Sequence, residues 1–220
     1  MISNNELLDS SLQGASTKRF WSNLLRGIHD AAQPLTILRA SFGKDQTERM
    51  NLIELRELAT SSAMEVERVC SFFKFLEQIV ITENVKPELS AMPIEPLVAY
   101  VTDGINLLFE RDGMFLRSTV AESCRSVLIN RARTLEALSS VLLVAHEVSH
   151  LGDTIELIAS YSSSHVVKIV VRNVKSYVET LHEEARLRMA LAEASLGSQQ
   201  ATLSWSLQPF CVQIGFDAAC

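Results

Sequence analysis

The chain has 220 residues, 47% of them hydrophobic, enough to bury one large core or two small ones and to exclude wholesale disorder. Its net charge is −6 with no Lys/Arg cluster, which argues against nucleic-acid binding, because neutralising phosphates needs clustered cations. No signal peptide and no 18-residue apolar run is visible, and the four cysteines (Cys70, Cys124, Cys211, Cys220) are scattered, so the sequence predicts a cytoplasmic protein with no membrane span and no cysteine-held metal.

Residues 1–16 are polar and read as a flexible N-terminus. From Thr17 a helical pattern begins, with Phe20, Leu24, Ile28, Ala31, Leu35, Leu38 and Phe42 on one near-heptad seam that stops at Gly43. A second helix restarts near Thr47, with a seam of Leu52, Leu55, Ala59, Ser62, Val66, Val69, Phe73, Leu76 and Val80. Two such helices joined by a short loop make an antiparallel hairpin over residues 17–82. One hairpin cannot bury both long seams, so pairing of two copies into a homodimeric four-helix bundle is expected.

Pro87, Pro93 and Pro96 mark residues 83–96 as a linker. Residues 97–220 read as an α+β domain. Its predicted elements are a helix over 95–110, strands near 114–119 and 126–129, and a helix over 134–150. Strands over 154–161 and 166–172 follow around a turn at Ser162-Ser163-Ser164, then a helix over 176–196 and a hairpin over 201–216 turning near Gln208-Pro209. Trp21 and Trp205 read as packing residues, His165 and His182 as surface residues, and Arg131 and Arg133 as solvated surface with phosphate binding as the other reading.

The first helix carries the chemistry. His29 lies one residue off the apolar seam, about 100° round the helix, so it flanks the seam and is open to solvent. Gln33 shares that face at i+4, and Asp30 is adjacent. Pro34 inside the helix costs about 3 kcal/mol and frees the carbonyl of Asp30, an expense that packing alone does not require. A neutral imidazole is a good nucleophile near pH 7, and a neighbouring carboxylate can orient its other nitrogen and take its proton. A lone helical histidine is more often an ordinary surface residue; the company of Asp30, Gln33 and the Pro34-Leu35 pair shifts that balance.

The stretch His29-Asp30-Ala31-Ala32-Gln33-Pro34-Leu35-Thr36 resembles the phosphoacceptor box of sensor histidine kinases, H-[D/E]-x-x-x-P-L, in its HDxxQPLT form. The likeness runs over roughly residues 17–216 and implies a helical-hairpin dimerisation domain followed by an ATPase-type α+β domain. It implies phosphoryl transfer through His29, with receiver domains of response regulators as partners. Ala32, Leu35 and Arg39 on the first helix, with Ala59 and Ser62 on the second, would form the docking surface. The family's nucleotide motifs are missing, however. Ser140 and Val144 stand in place of the two asparagines of N-L-L-x-N-A, Asn173-Val174-Lys175 stands in place of D-x-G-x-G, and the glycine-rich lid is absent. Without the Mg²⁺ ligand and the glycines that let backbone approach a nucleotide, ATP binding is not expected. The combination resembles the dimeric histidine phosphotransferases built like degenerate kinases. These need no cofactor of their own, the Mg²⁺ being carried by the receiver. Action as a receiver phosphatase through the Gln33 amide, or as a non-catalytic adaptor, are the alternatives.

A competing motif, His146-Glu147-Val148-Ser149-His150, matches H-E-x-x-H. On a continuous helix its histidines would share a face and could hold Zn²⁺ with Glu147 as general base, giving a hydrolase. A third ligand would have to be Glu179, Glu183 or Glu184, none in a recognisable motif, so a polar helix end is the favoured reading.

Overall fold

The structure, a computed structural model, describes residues 35, 36, 40 and 51–218 except 125, 162–165 and 176. The body of the first predicted helix, with His29, Asp30, Ala32, Gln33 and Arg39, lies outside the described residues, as do Trp21, His165 and the predicted serine turn. The chain forms two compact units, one up to Gln78 and one from Ile79 on.

Helix α1 runs from Leu52 to Asn84. It begins there, five residues after the predicted restart, because Asn51 caps it. The Asn51 Oδ1 accepts from the N–H groups of Ile53 and Glu54 at 2.9 and 3.0 Å, and Glu54 Oε2 accepts from the Asn51 N–H at 2.8 Å. This reciprocal box satisfies donors that a helix start leaves unpaired. In the first unit, Ser62, Val69, Phe72 and Leu76 of α1 are buried, with Leu58, Glu65 and Phe75 half-buried between them. The predicted seam holds at Ser62, Val69 and Leu76 only. Its other column, Leu52, Ala59, Val66, Phe73 and Val80, is exposed, and Phe73 at 55% contrasts with its neighbour Phe72 at 4%. The buried stripe is therefore turned by one residue, and α1 carries two apolar columns of which one is covered.

In the second unit, β1 (Ser90–Met92) pairs antiparallel with β3 (Val127–Ile129). The stretch read as a linker thus contains a strand. Pro93 then caps α2 (Ile94–Arg111), and Pro96 sits in its first turn, where a missing N–H costs nothing. Gly113, at φ +69°, closes the helix; a side chain there would run into Leu151. After β2 (Phe115–Val120) and β3 comes α3 (Arg131–Glu147), then β4 (Thr154–Tyr161), β5 (Val166–Asn173), α4 (Glu183–Gly197), β6 (Thr202–Leu207) and β7 (Phe210–Asp217).

The main sheet has strand order β2-β4-β5-β7-β6, with β2 and β4 parallel and the other pairs antiparallel. One side is apolar by strict alternation: Ile155, Leu157, Ala159, Val167, Ile169, Val171, Val212 and Ile214 are all buried. The helices pack on one another and on the strands, with α3 against both α2 and α4. That central place explains its pattern. Ala137, Leu138, Ser140, Val141, Leu142, Val144 and Ala145 are buried around almost its whole circumference.

Two helices depart from their predicted ends: α3 keeps its length but lies three residues earlier, Arg131–Glu147 against 134–150, and α4 is shorter. Helix α3 is capped by Asn130, whose side chain accepts from the Arg133 N–H at 3.1 Å, and it ends at Glu147 rather than His150. Helix α4 starts at Glu183, not near Ser176, because Val178 is tied by its N–H to the Leu207 carbonyl (3.4 Å) and His182 serves as the cap.

Candidate functional site

Of the residues chosen as site and docking positions, three are described. Leu35 is helical and 48% exposed, Ala59 is exposed, and Ser62, one turn along α1 from Ala59, is buried. The phosphoacceptor box itself lies outside the described residues.

The stretches compared above with the nucleotide motifs of histidine kinases lie in α3 and at the end of β5. Ser140 and Val144 are both buried within α3. The two helices α3 and α4 run antiparallel and are tied along their length. At one end Gln199 Oε1 accepts from the Asn130 N–H (2.6 Å) and the Thr134 hydroxyl (3.1 Å), while its amide donates to the Ser195 carbonyl (2.9 Å). One turn along, the buried Ser195 hydroxyl donates to Glu136 Oε2 at 3.0 Å. At the other end the Glu147 carboxylate meets Arg188 Nε at 3.2 Å and His182 Nε2 at 3.1 Å. Burial pushes the Glu147 carboxyl upward in pKa, against the pull of Arg188 and His182. Between these ties Ala137, Leu138, Val141, Ala145, Ala185, Met189, Ala192 and Leu196 are all buried. Hydrogen bonds of this kind contribute about 1 kcal/mol each, and the partly exposed ion pairs less.

Asn173, at the end of β5, is wholly buried and points inward. Its amide donates to Ser149 Oγ (2.7 Å) and Asp153 Oδ2 (2.8 Å), and its oxygen accepts from the Lys175 N–H (3.0 Å). The same Asp153 oxygen accepts from the His150 N–H at 3.0 Å. Burial alone would raise the Asp153 carboxyl, but the His150 N–H and the Asn173 amide outweigh it and hold the pKa below its ordinary value. The side chain at this position is thus spent on joining β5 to the loop after α3.

The H-E-x-x-H residues are pulled apart. Helix α3 stops at Glu147, so His146 and His150 do not share one helix face. His146 Nε2 lies 2.9 Å from Asp112 Oδ2, with the Phe109 ring edge-on at 5.1 Å, whereas the His150 side chain is 81% exposed. Asp112 is itself held low in pKa by Arg111 beside it. Glu147, the would-be base, is engaged by Arg188 and His182. Among the described residues no three His, Cys, Asp or Glu side chains gather as metal ligands.

Sequence reasoning missed several roles. Arg133 is half-buried, and its guanidinium donates to the carbonyls of Thr82 (3.1 Å) and Val85 (2.6 Å) at the end of α1. Arg131 lies over the Tyr100 ring, 5.2 Å from its centre. His182 caps α4 as well as pairing with Glu147. Trp205, read as a packing residue, is 44% exposed. No helix among the described residues is long and apolar enough to cross a membrane.

The sequence matches no protein-family model, and no curated protein matches it. Solved structures do match. The Acinetobacter baumannii histidine kinase AdeS superposes with a TM-score of 0.63 at 15% identity, over 87% of this chain and 98% of that one. Full-length ShkA, solved in complex with AMPPNP, gives 0.59 at 14% identity over 89% of this chain, which spans 46% of ShkA. The catalytic domain of the histidine kinase ThkA gives 0.52 at 10% identity, over 59% of this chain and 95% of that domain. At these identities the likeness establishes the fold: a helix followed by an α/β unit with a mixed sheet, as in histidine kinases.

Proposed function

We propose that this chain is a histidine phosphotransfer protein of a two-component system, lacking autokinase activity. The observation that carries the reading is the tied α3–α4 pair. In a fold like that of histidine kinases, the positions that resemble nucleotide motifs are filled by buried Ser140, Val144 and an inward-bonded Asn173. The phosphoacceptor box, by contrast, is intact in the sequence.

In this reading an unprotonated nitrogen of His29 attacks the phosphorus of a receiver's aspartyl phosphate. The N–P bond forms as the P–O bond to the aspartate breaks, and the carboxylate leaves. Asp30 holds the other ring nitrogen and takes up its proton. Charge on the moving phosphoryl group is balanced by the Mg²⁺ that the receiver carries. The reverse step passes the group to a second receiver. Ala32, Leu35, Arg39 and the exposed Ala59 form the docking surface, Ser62 being buried and taking no direct part, and Gln33 lies beside it. The exposed column of α1, Val66, Phe73 and Val80 included, pairs two copies into the four-helix bundle.

The test is incubation with radiolabelled phospho-receivers. Wild type should take up label, His29→Ala should take up none, and Asp30→Asn should be slowed by about 10²-fold or more. Calorimetry with Mg-ATP should show no binding heat. Label uptake by His29→Ala, or autophosphorylation from ATP, would sink the reading. Loss of receiver phosphate without label on the protein would favour the phosphatase alternative.

A further inference from the structure

The main sheet ends on two edge strands, β2 and β6. Edges are normally protected by charge, proline or a bulge, since their unpaired backbone groups invite another strand. Strand β2 carries Arg117 in its middle. Strand β6 carries nothing of the kind: no charged residue occurs between Glu193 and Asp217. Among the described residues the Val178 N–H covers the strand at Leu207, and no other strand pairs along the outer edge of Thr202 to Ser206. Within that stretch Thr202, Ser204, Trp205 and Ser206 are exposed.

We propose that β6 pairs antiparallel with β6 of a second copy of this chain, about a two-fold axis at Ser204. The register to β7 fixes what each side of the strand presents. Leu203 and Trp205 lie opposite Ile214 and Val212, on the helix-covered side, whereas Thr202, Ser204 and Ser206 lie opposite Gly215, Gln213 and Cys211 on the other. A two-fold at Ser204 sets Leu203 against Trp205 of the second copy, an aromatic–aliphatic pair on one side. It sets Thr202 against Ser206, and Ser204 against Ser204, which are hydroxyl pairs on the other. Both kinds of cross-strand pair are favourable, and no like charges meet. The same operation on β2 would bring two copies of Arg117 together. A foreign strand would be chosen by charge or by a pocket; β6 offers no charge, but it is complementary to itself. This surface does not depend on the phosphotransfer reading, and it is distinct from the exposed column of α1. Where both operate, assembly continues past the dimer.

Sedimentation of the full chain from micromolar to several hundred micromolar tests this, with Ser204→Lys as the variant. Two ammonium groups at the axis should weaken the β6 association at least about tenfold, leaving circular dichroism and melting temperature unchanged. Phe73→Glu should leave the β6 association intact. Trp21→Phe leaves Trp205 as the only tryptophan. Its emission should move to the blue as concentration rises, and this readout decides the matter alone should Ser204→Lys fail to fold. Equal mass for wild type and Ser204→Lys throughout, or a Trp205 emission that ignores concentration, would overturn the proposal.

Discussion

Helices α1 and α3 are both rich in apolar side chains, and they dispose of them in opposite ways. Helix α3 is buried around almost its whole circumference, with Leu138, Val141, Leu142 and Val144 fully enclosed. Helix α1 covers one column and leaves the next exposed, Val66 at 48% and Phe73 at 55%. A helix whose partners all lie in its own unit needs nothing further. A second, uncovered column at heptad spacing is what the proposed pairing of two copies would cover.

The contrast can be broken by charging each helix in turn. Leu142→Glu should abolish folding of the second unit, because an unpaired carboxylate would be enclosed in apolar surroundings; a cooperative melt like that of wild type would refute the description of α3 as a core helix. At low micromolar concentration, below the β6 association, Phe73→Glu should leave helix content almost unchanged while halving the mass seen by light scattering, from about twice 24.4 kDa to one chain. Should wild type already run as a monomer at micromolar concentration, the exposed column has no partner and the α1 half of the comparison falls.

Smaller effects sharpen the α3 side. Gln199→Ala removes the acceptor of the Asn130 N–H, leaving that half-buried donor unpaired while the Thr134 hydroxyl keeps the Asn130 carbonyl at 2.9 Å, and should cost about 1–3 kcal/mol in urea unfolding. Smallest is the contribution of Asp153. Its pKa is lowered on folding, so its stabilisation is full above the unfolded carboxyl pKa of about 3.9 and is lost as pH falls through the lower folded value. Asp153→Asn should therefore flatten the stability profile below about pH 4 and leave its slope near neutrality alone. An acid limb as steep as that of wild type would show that Asp153 is not the group responsible.

How much of this was legible in the sequence depended on range. Strand β4 was read with its exact ends, Thr154 and Tyr161, because strict alternation is a local signal. Ser62, Val69 and Leu76 were read correctly as buried, but the neighbouring column was not distinguishable from the covered one, since both repeat every seven residues. Strand β1 was missed because three residues between prolines carry no period. The start of α4 was misplaced because Tyr177, Val178 and Leu181 mimic helical spacing; Leu181 is indeed buried, but ahead of the helix. The hydrogen bonds that Gln199 and Ser195 make to α3 and its cap join residues 59 to 69 positions apart, and no local pattern announces them. The phosphoacceptor box shows the reverse case: it is plain in the sequence and lies outside the described residues.

The enclosure of α3 also bears on history. If an ancestor held asparagines where Ser140 and Val144 now stand, the route back is closed by packing rather than by chemistry. Val144 is wholly enclosed, and Val144→Asn would place an amide where water cannot reach it, at about 1–3 kcal/mol per unpaired group. A single reversion would thus lower the melting temperature before it could restore a ligand, and reversal would require the α3–α4 seam to loosen first. The packing around α3 thus restricts which side chains positions 140 and 144 accept.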